Sequence, residues 1–298
     1  MQVATPKRTW RQRVVDSVSN ALLISLIRLA CVLPYETRLR LSGRVMVHVL
    51  APLAGYRRRV RRNLAYIWPN LSQAETDRLC HGSLDNIGRA VIELYSGEEF
   101  IAHNRDNALQ GPGVAALDRA LATGRPIVAV SGHFGNYEAA RVALRMRGHR
   151  IGALYREMNN AAFNAHYVKA LSAIASPVFR RDRRGLGQMV QFLRQGNTIA
   201  LLTDQYHSKG QRITFLGQET RTTTSAADLA LKYDALLIPI YGIRRADGVH
   251  FDVVAEPPIP HSTVATMTQE MTDSLAAQIA RHPEQWLWVH DRWKLPRV

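Results

Sequence analysis

The sequence is poor in cysteine and has no cluster of metal ligands. Cys31 and Cys80 are its only cysteines in 298 residues. Two cysteines are too few for a disulfide framework, and neither belongs to a Cys/His set at zinc-ligand spacing. Unpaired thiols are typical of a reducing compartment such as the cytoplasm. We therefore expect no metal site of the Cys/His type.

Other absences exclude whole classes of protein. The sequence has no internal repeat, no low-complexity linker and no Gly-x-Ser-x-Gly elbow of a serine hydrolase. It also lacks helix-turn-helix, zinc-finger and aromatic RNA-binding motifs, so we expect no nucleic-acid partner despite a net charge of +15. A nucleic-acid-binding protein and a Ser–His–acid hydrolase remain the alternatives from other classes.

Acidic residues are scarce near the N-terminus. Residues 1–70 contain thirteen Lys or Arg but only two acids, Asp16 and Glu36. Such a block favours an anionic partner: nucleic acid, an anionic membrane or an acidic protein. The densest part of the block is a run of arginines, for which a solvated helix end is the alternative interpretation: Arg57, Arg58, Arg59, Arg61 and Arg62.

A mostly apolar stretch at residues 14–33 follows the first basic residues. No small-residue cleavage site follows it, so we do not interpret it as a signal peptide. About 20 residues are long enough to span a bilayer, but Asp16 and Arg28 would be costly inside it. We favour a helix that lies in the inner leaflet with its basic flanks on anionic headgroups; a buried core helix is the alternative.

The pattern of elements changes near residue 112. Before it, helical spacing predominates at 14–33, 36–54 and 72–100. After it, predicted strands (126–131, 150–155, 176–181, 197–204, 211–217, 235–245 and 249–256) alternate with predicted helices (136–148, 159–174, 185–196, 224–234 and 262–282). This alternation predicts an α/β fold with a mostly parallel central sheet flanked by helices. We expect a helical, membrane-associating segment at 1–70 and an α/β domain at 71–298, packed as one unit.

Polar residues follow three of the predicted strands. His133 stands two residues after strand 126–131, Arg156 follows strand 150–155, and Asp204 ends strand 197–204. Because functional sites of open α/β sheets lie beyond the carboxyl ends of the strands, we expect these three side chains to meet at one rim.

The segment SGHFGNYE supplies the candidate base. Glycines flank His133, so the chain can turn sharply there, and Glu138 falls in the first turn of the next helix. A neutral imidazole can remove the proton of a hydroxyl, and a carboxylate on its other nitrogen would orient it. Backbone N–H groups of the glycine turn could hold an oxyanion. The alternative is a loop histidine that Glu138 merely caps.

The same segment resembles the His-x4-acid motif of lysophospholipid-type acyltransferases. The closest likeness is to the lauroyl/myristoyl acyltransferases of lipid A biosynthesis, and it extends over about residues 20–295. Further segments resemble that family in order: RRNLAYIWPNLS (61–72), LYREMNN (154–160), TDQ (203–205), FLGQETRTTTSAADLALKYDALLIP (215–239) and HPEQWLWVHDRWK (282–294).

The resemblance implies a glycerolipid-acyltransferase-like fold and an O-acyltransferase that acts at the cytoplasmic face of the inner membrane. An acyl carrier protein or coenzyme A thioester would be the donor, and no cofactor would be needed. The acceptor would be a lipid A precursor; an ornithine lipid, a mannosylated phosphoinositide or another glycolipid is the alternative.

The resemblance also implies roles for individual residues. His133 would be the general base and Glu138 would orient it. Arg156 would bind a negatively charged group, and Asp204 would complete the polar site. Gly135 and Asn136 would belong to the substrate-binding part of the motif. Independently of the resemblance, we expect the tryptophans of the C-terminal segment to lie in the core, with contact to lipid as the alternative. For His290 we favour a structural role over a place in the lining of the site.

Overall fold

The computed structural model of the chain describes residues 10–158 and 160–294, apart from the side chains of residues 11–16, 18, 19, 22, 161 and 162. Helices make up the first third, and strands and helices alternate after it. The helices are α1 (Trp10–Val32), α2 (Tyr35–Val45), α3 (Ala51–Leu53), α4 (Tyr56–Ile67), α5 (Gln73–Tyr95), α6 (Glu98–Asn104), α7 (Val114–Thr123), α8 (Tyr137–Met146), α9 (Ala161–Ile174), α10 (Arg183–Arg194), α11 (Ser225–Lys232) and α12 (Val264–Arg281).

The strands follow the predicted positions closely. They are β1 (Leu109–Gln110), β2 (Ile127–Ser131), β3 (Ile151–Tyr155), β4 (Val178–Arg180), β5 (Thr198–Leu202), β6 (Gln211–Phe215), β7 (Gln218–Thr222), β8 (Leu236–Arg244) and β9 (Phe251–Ala255). Patterning alone missed β1, β7, α4 and α7. It also continued the helix at 72–100 through Gly97, whose φ of 50° ends that helix.

Seven of the described strands form one sheet in the order β1-β9-β8-β2-β5-β3-β4. Strands β8, β2, β5, β3 and β4 are parallel, whereas β9 pairs antiparallel with β8, as the predicted hairpin requires. The predicted α/β fold with a mostly parallel sheet is therefore confirmed. The segment near 211–217 belongs instead to a separate two-stranded hairpin of β6 and β7.

A row of three alanines crosses the middle of the sheet. Ala129 of β2 is in register with Ala200 of β5, and Ala200 is in register with Ala153 of β3. Residues in register on neighbouring strands point to the same face, here the face that α8 covers. Because three small side chains stand side by side, space remains between this part of the sheet and the helices above it.

The N-terminal helices share a core with the C-terminal segment. Val60 and Leu64 of α4 are buried in one cluster with Trp286 and Trp288. The tryptophans of this segment are core residues, as predicted. Helix α5 begins with the predicted capping box, in which Ser72 and Glu75 satisfy each other's backbone N–H groups.

The described side chains in the second half of helix α1 include both buried and exposed residues. Ile24 is buried against the body of the protein, whereas Leu23, Leu26 and Leu29 are exposed. Of the helices within residues 10–158 and 160–294, none combines the length and the apolarity that crossing a bilayer requires. The basic residues that precede α1, Lys7 and Arg8, lie outside the described part of the chain.

Candidate active site

The loop between β2 and α8 carries His133 and is held by backbone contacts. The Gly135 N–H donates to the Gln285 carbonyl oxygen at 2.9 Å, and the Asn136 N–H donates to the Gly242 carbonyl oxygen at 2.9 Å. Gly135 has a φ of 53°, and a Cβ there would overlap the Gly242 oxygen. Only glycine fits this position, so the turn that aims His133 depends on it.

Asp204 is the carboxylate that holds the imidazole. Its Oδ1 lies 2.8 Å from His133 Nδ1, and its Oδ2 accepts the His133 backbone N–H at 2.8 Å. The Trp286 indole N–H donates to the same Oδ2 at 2.9 Å. With a carboxylate acceptor beside it, Nδ1 carries the proton, and Nε2 is left as the basic nitrogen.

Burial and charge act in opposite directions on this pair. The Asp204 side chain is 0% exposed and that of His133 is 22% exposed. Burial alone would lower the pKa of His133, but the charge of Asp204 and its hydrogen bond outweigh burial and raise that pKa above the ordinary 6.5. Burial would likewise raise the pKa of Asp204, but the charge and hydrogen bonds of His133 hold it far below its usual range.

The expectation that Glu138 reaches the imidazole is corrected by the geometry. The Glu138 carboxylate accepts a hydrogen bond from Arg141 at 2.6 Å, and Arg141 also donates to the Ala175 carbonyl oxygen at 2.6 Å. Glu138 and Arg141 are three residues apart on α8 and so lie on the same face of that helix. Burial raises the pKa of Glu138, and the neighbouring Arg141 opposes that rise. A catalytic role for Glu138 stays a prediction.

Asp204 takes the place beside His133 because of strand order. Strand β5 is the parallel neighbour of β2, and Ser131 is in register with Leu202. The Thr203 N–H donates to the Ser131 carbonyl oxygen at 3.0 Å, which extends the pairing by one step. The next residue, Asp204, therefore lies beside the start of the His133 loop. Sequence spacing within SGHFGNYE carries no information about this neighbour.

Gly135 and Asn136 belong to the β2–α8 loop but are not among the residues that line the cavity. The Asn136 side chain is buried; its oxygen accepts the Glu138 N–H at 2.8 Å, and its amide donates to Glu93 at 2.7 Å. These contacts hold the loop, and substrate binding by either residue stays a prediction. The backbone N–H groups of His133, Gly135 and Asn136 are also engaged, which leaves none of these three for an oxyanion.

An apolar cavity of about 550 Å³ opens beside His133. The alanine row of β2, β5 and β3 lines it on the sheet side. Its helical side consists of residues from α8 and α9: Tyr137, Glu138, Ala140, Arg141, Leu144, Phe163, Tyr167 and Leu171. A volume of this size is typical of a site for a small molecule or an alkyl chain.

Two arginines belong to the lining of the same cavity. Arg156, which follows β3, and Arg181, which follows β4, are both exposed residues that line it. The three predicted strand ends therefore do converge: His133 and Arg156 line one cavity, and Asp204 binds His133. Binding of a negatively charged group by Arg156 stays a prediction.

His290, for which the sequence favoured a structural role, packs beside His133. Its ring centre lies 5.2 Å from that of His133, with the ring planes at 82°. Burial lowers the pKa of His290 to about 4, so its ring is neutral near pH 7. The only sequence signal was its place two residues after Trp288 in the C-terminal segment, where Trp286 also reaches Asp204.

The five arginines of residues 57–62 differ in their surroundings. Three of them are engaged: Arg57 donates to the Val47 carbonyl oxygen at 2.8 Å, Arg61 binds Asp77 at 2.7 Å, and Arg62 binds Asp291 at 3.3 Å. Arg58 and Arg59 are exposed and have no acidic partner among the described residues. The Arg59 guanidinium lies 5.9 Å from the ring centre of Tyr56.

An imidazole base that is held by a buried carboxylate beside an apolar cavity is suited to enzymes that activate a hydroxyl group toward an alkyl-bearing substrate. The sequence model of the bacterial lipid A biosynthesis acyltransferases matches residues 5–295. The chain belongs to this acyltransferase family.

Curated relatives are similar along most of their length. A lipid A biosynthesis lauroyltransferase of Escherichia coli (strain K12) is 25% identical over 281 residues, which cover 91% of this chain and 90% of the relative. A phosphatidylinositol mannoside acyltransferase of Mycobacterium tuberculosis (strain H37Rv) is 25% identical over 242 residues, or 78% of this chain and 76% of the relative. A lipid A biosynthesis palmitoleoyltransferase of E. coli is 23% identical over 248 residues.

Proposed function

We propose that this protein transfers a fatty acyl chain from the thioester of an acyl carrier protein to a hydroxyl group of a lipid A precursor. The observation that carries the proposal is the position of the His133–Asp204 pair beside an apolar cavity of about 550 Å³. The imidazole can activate a hydroxyl, and the cavity can hold an alkyl chain. The thioester itself supplies the activated acyl group.

The reaction follows from the position of Nε2. As the acceptor oxygen attacks the thioester carbonyl carbon, His133 Nε2 takes the hydroxyl proton. The C–S bond then breaks, the imidazolium returns the proton to the leaving sulfur, and an ester and a carrier thiol are the products. Asp204 fixes the tautomer and stabilises the imidazolium while it exists. Arg156 stabilises the negative charge that develops at the carbonyl oxygen.

The charges around the cavity support an anionic donor and acceptor. Arg156 and Arg181 line it, and Arg183 and Arg184 are exposed at the start of α10. An acidic carrier protein and a phosphorylated sugar lipid both carry negative charge that such arginines attract. We place the enzyme at the cytoplasmic face of the inner membrane, bound peripherally or through its N-terminal helix.

A second candidate acceptor is a mannosylated phosphoinositide, and an ornithine lipid or other glycolipid remains a further alternative. The similarity to the phosphatidylinositol mannoside acyltransferase, 25% identical over 78% of this chain, favours considering the mannosylated lipid. The chemistry at His133 is the same for each acceptor, because each offers a hydroxyl to the same base.

A reconstituted reaction tests the acceptor. Purified enzyme in mixed micelles is given a labelled acyl carrier protein thioester and, separately, a lipid A precursor, a phosphatidylinositol mannoside or an ornithine lipid, and the product is identified by mass. We expect the labelled chain on the lipid A precursor. Acylation of only one of the other lipids would replace the proposed acceptor, and transfer to water alone would contradict acyl transfer to a lipid.

Replacing His133 tests the base. We expect His133→Ala to keep its fold and to lose a factor of about 10²–10⁴ in kcat, because the acceptor hydroxyl then has no positioned base. The measurement is initial-rate acyl transfer, with circular dichroism as the check on folding. Undiminished turnover by a folded variant would remove His133 from the mechanism.

A further inference from the structure

The helical hairpin that precedes the arginine run has an exposed apolar tip. Helix α2 continues through a π-helical turn at Met46–Leu50 into α3, the chain turns at Gly55, and α4 returns. Pro52, Leu53 and Ala54 are all exposed at the turn, and Leu53 is 83% exposed. A Cβ added to Gly55 would meet nothing within 4 Å, so the tip is open to its surroundings.

The exposed apolar residues continue along one side of the hairpin. Leu41, Val45, Val49 and Leu53 are exposed and recur every four residues, the spacing that places side chains on one face of a helix. The opposite side is anchored, because Met46, Val47 and Ala51 are buried in the core cluster that also contains Trp286. The exposed stripe therefore sits on a rigid base.

The charge of this region has one sign. Between residues 37 and 74 the sequence contains eight arginines and no Asp, Glu or Lys. Arg58 and Arg59 follow the tip directly, are exposed, and have no acidic partner among the described residues. Apolar side chains beside unpaired cations match a bilayer surface, where the former enter the acyl region and the latter bind lipid phosphates. A nucleic acid would bind the arginines but would leave the exposed apolar side chains without an apolar partner.

We propose that the tip of this helical hairpin, residues 49–59, is a membrane-insertion element. The exposed side chains of Val49, Leu50 and Leu53 enter the acyl region of an anionic bilayer, and Arg58 and Arg59 bind its phosphates. This tip is a contact additional to helix α1. The inference rests on the membrane association in the proposed function and is independent of the acceptor. Because α4 shares a core with the C-terminal segment, this contact would attach the α/β part of the enzyme directly to the membrane.

Vesicle binding of the full chain tests this element. The variants are Leu53→Glu and the pair Arg58→Gln/Arg59→Gln, and the matched control is Leu121→Glu, which places the same charge on a 39% exposed leucine of α7. Partition coefficients are measured by co-sedimentation with phosphatidylcholine vesicles, with and without phosphatidylglycerol, at low and high salt.

We expect Leu53→Glu to weaken partitioning at least about tenfold, since it removes the leucine that would enter the bilayer and adds a negative charge at an anionic surface. The arginine pair should lose about fivefold for each charge, on anionic vesicles only and less at high salt. The control should bind as the wild type does. Equal binding of Leu53→Glu and wild type, an equal loss in the control, or no vesicle binding by the wild type would each overturn the proposal.

Acyl transfer in mixed micelles separates this proposal from the proposed function. Leu53→Glu should retain the wild-type rate there, because the micelle brings the substrates to the enzyme without a bilayer. A wild-type enzyme that binds vesicles but transfers no acyl chain would count against the proposed function alone. A wild-type enzyme that transfers acyl chains in micelles but binds vesicles independently of Leu53 would count against the hairpin alone.

Discussion

At the residue scale, the two carboxylates that the sequence predicted for the site, Asp204 and Glu138, have different surroundings. Asp204 accepts hydrogen bonds from the His133 ring, the His133 backbone and the Trp286 indole. All of these favour its charged form. Glu138 has Arg141 as its ionic partner, and burial raises its pKa. The orienting role that the motif suggested for Glu138 therefore suits Asp204, and Glu138 is part of the cavity wall.

Replacing Asp204 should change the pH dependence of the reaction. His133 acts as a base only when neutral, so kcat/KM should fall as the pH drops through a pKa above 6.5. In Asp204→Asn the charge that raises this pKa is gone, and burial alone lowers it. The acid limb should therefore move to lower pH, with a lower maximal rate. The pH–rate profile of kcat/KM is the measurement.

Glu138→Gln is the contrasting variant for that profile. Because Glu138 binds Arg141 and not the imidazole, the apparent pKa should stay at its wild-type value even if the rate changes. A shift in Glu138→Gln with none in Asp204→Asn would reverse the roles assigned to the two carboxylates.

At the element scale, three neighbouring parallel strands form both the site and the cavity. His133 and Asp204 each stand two residues after the ends of β2 and β5. The same two strands contribute Ala129 and Ala200 to the cavity. Toward the carboxyl ends of these strands, core residues such as Ile127 are followed by the alanines and then by the polar residues of the rim. Because the alanine row lies deeper in the cavity than His133, its position should limit the length of an alkyl chain that binds there.

Filling the alanine row should shorten the preferred acyl chain. Each buried methylene contributes about 0.8 kcal/mol, or about fourfold in kcat/KM, until the cavity is full. Ala200→Leu occupies part of that space, so its optimum in a series of thioester chain lengths should lie at shorter chains than that of the wild type. Ala122→Leu, on an exposed position of α7, adds the same bulk outside the cavity. An unchanged optimum in folded Ala200→Leu would contradict a chain bound there.

At the scale of the whole molecule, a buried ion pair ties the N-terminal helices to the sheet under the site. Glu93 of α5 binds Arg244 of β8 through both carboxylate oxygens, one of them at 2.7 Å. Arg244 also donates to Asn86 at 2.8 Å, and Asn86 donates to the Gly135 carbonyl oxygen at 3.0 Å. The loop that carries His133 is therefore supported by α5 as well as by its own strand.

Removing one partner of this pair should destabilise the whole protein. The side chain of Glu93 is 0% exposed, and Glu93→Gln leaves the Arg244 charge buried without its counter-ion. The expected loss in the free energy of unfolding is about 3–5 kcal/mol. Urea denaturation followed by tryptophan fluorescence measures it, with the exposed pair of Arg40 and Glu36 as control, where Glu36→Gln should cost less than about 1 kcal/mol. Equal losses in both variants would show that the buried pair has no special part in stability.

Much of the fold could be predicted because strands and helix ends produce local patterns in the sequence. Apolar runs of strand length predicted β2, β3, β5 and β8, and a capping box predicted the start of α5. The short strand β1 and helix α7 were missed, since their positions depend on tertiary pairing more than on local periodicity. The convergence of His133, Arg156 and Asp204 was also predictable, because parallel strands present their carboxyl ends at one edge.

The sequence by itself determined the alternation of strands and helices, the glycine turn around His133 and the excess of arginine near the N-terminus. Each of these depends on neighbouring residues or on composition. Only the tertiary structure decided that Asp204 and not Glu138 holds the imidazole, that His290 and Trp286 join the site, and that three alanines open a cavity. Strand order and register bring together residues that are 71 or more positions apart, and no local pattern records which strands become neighbours.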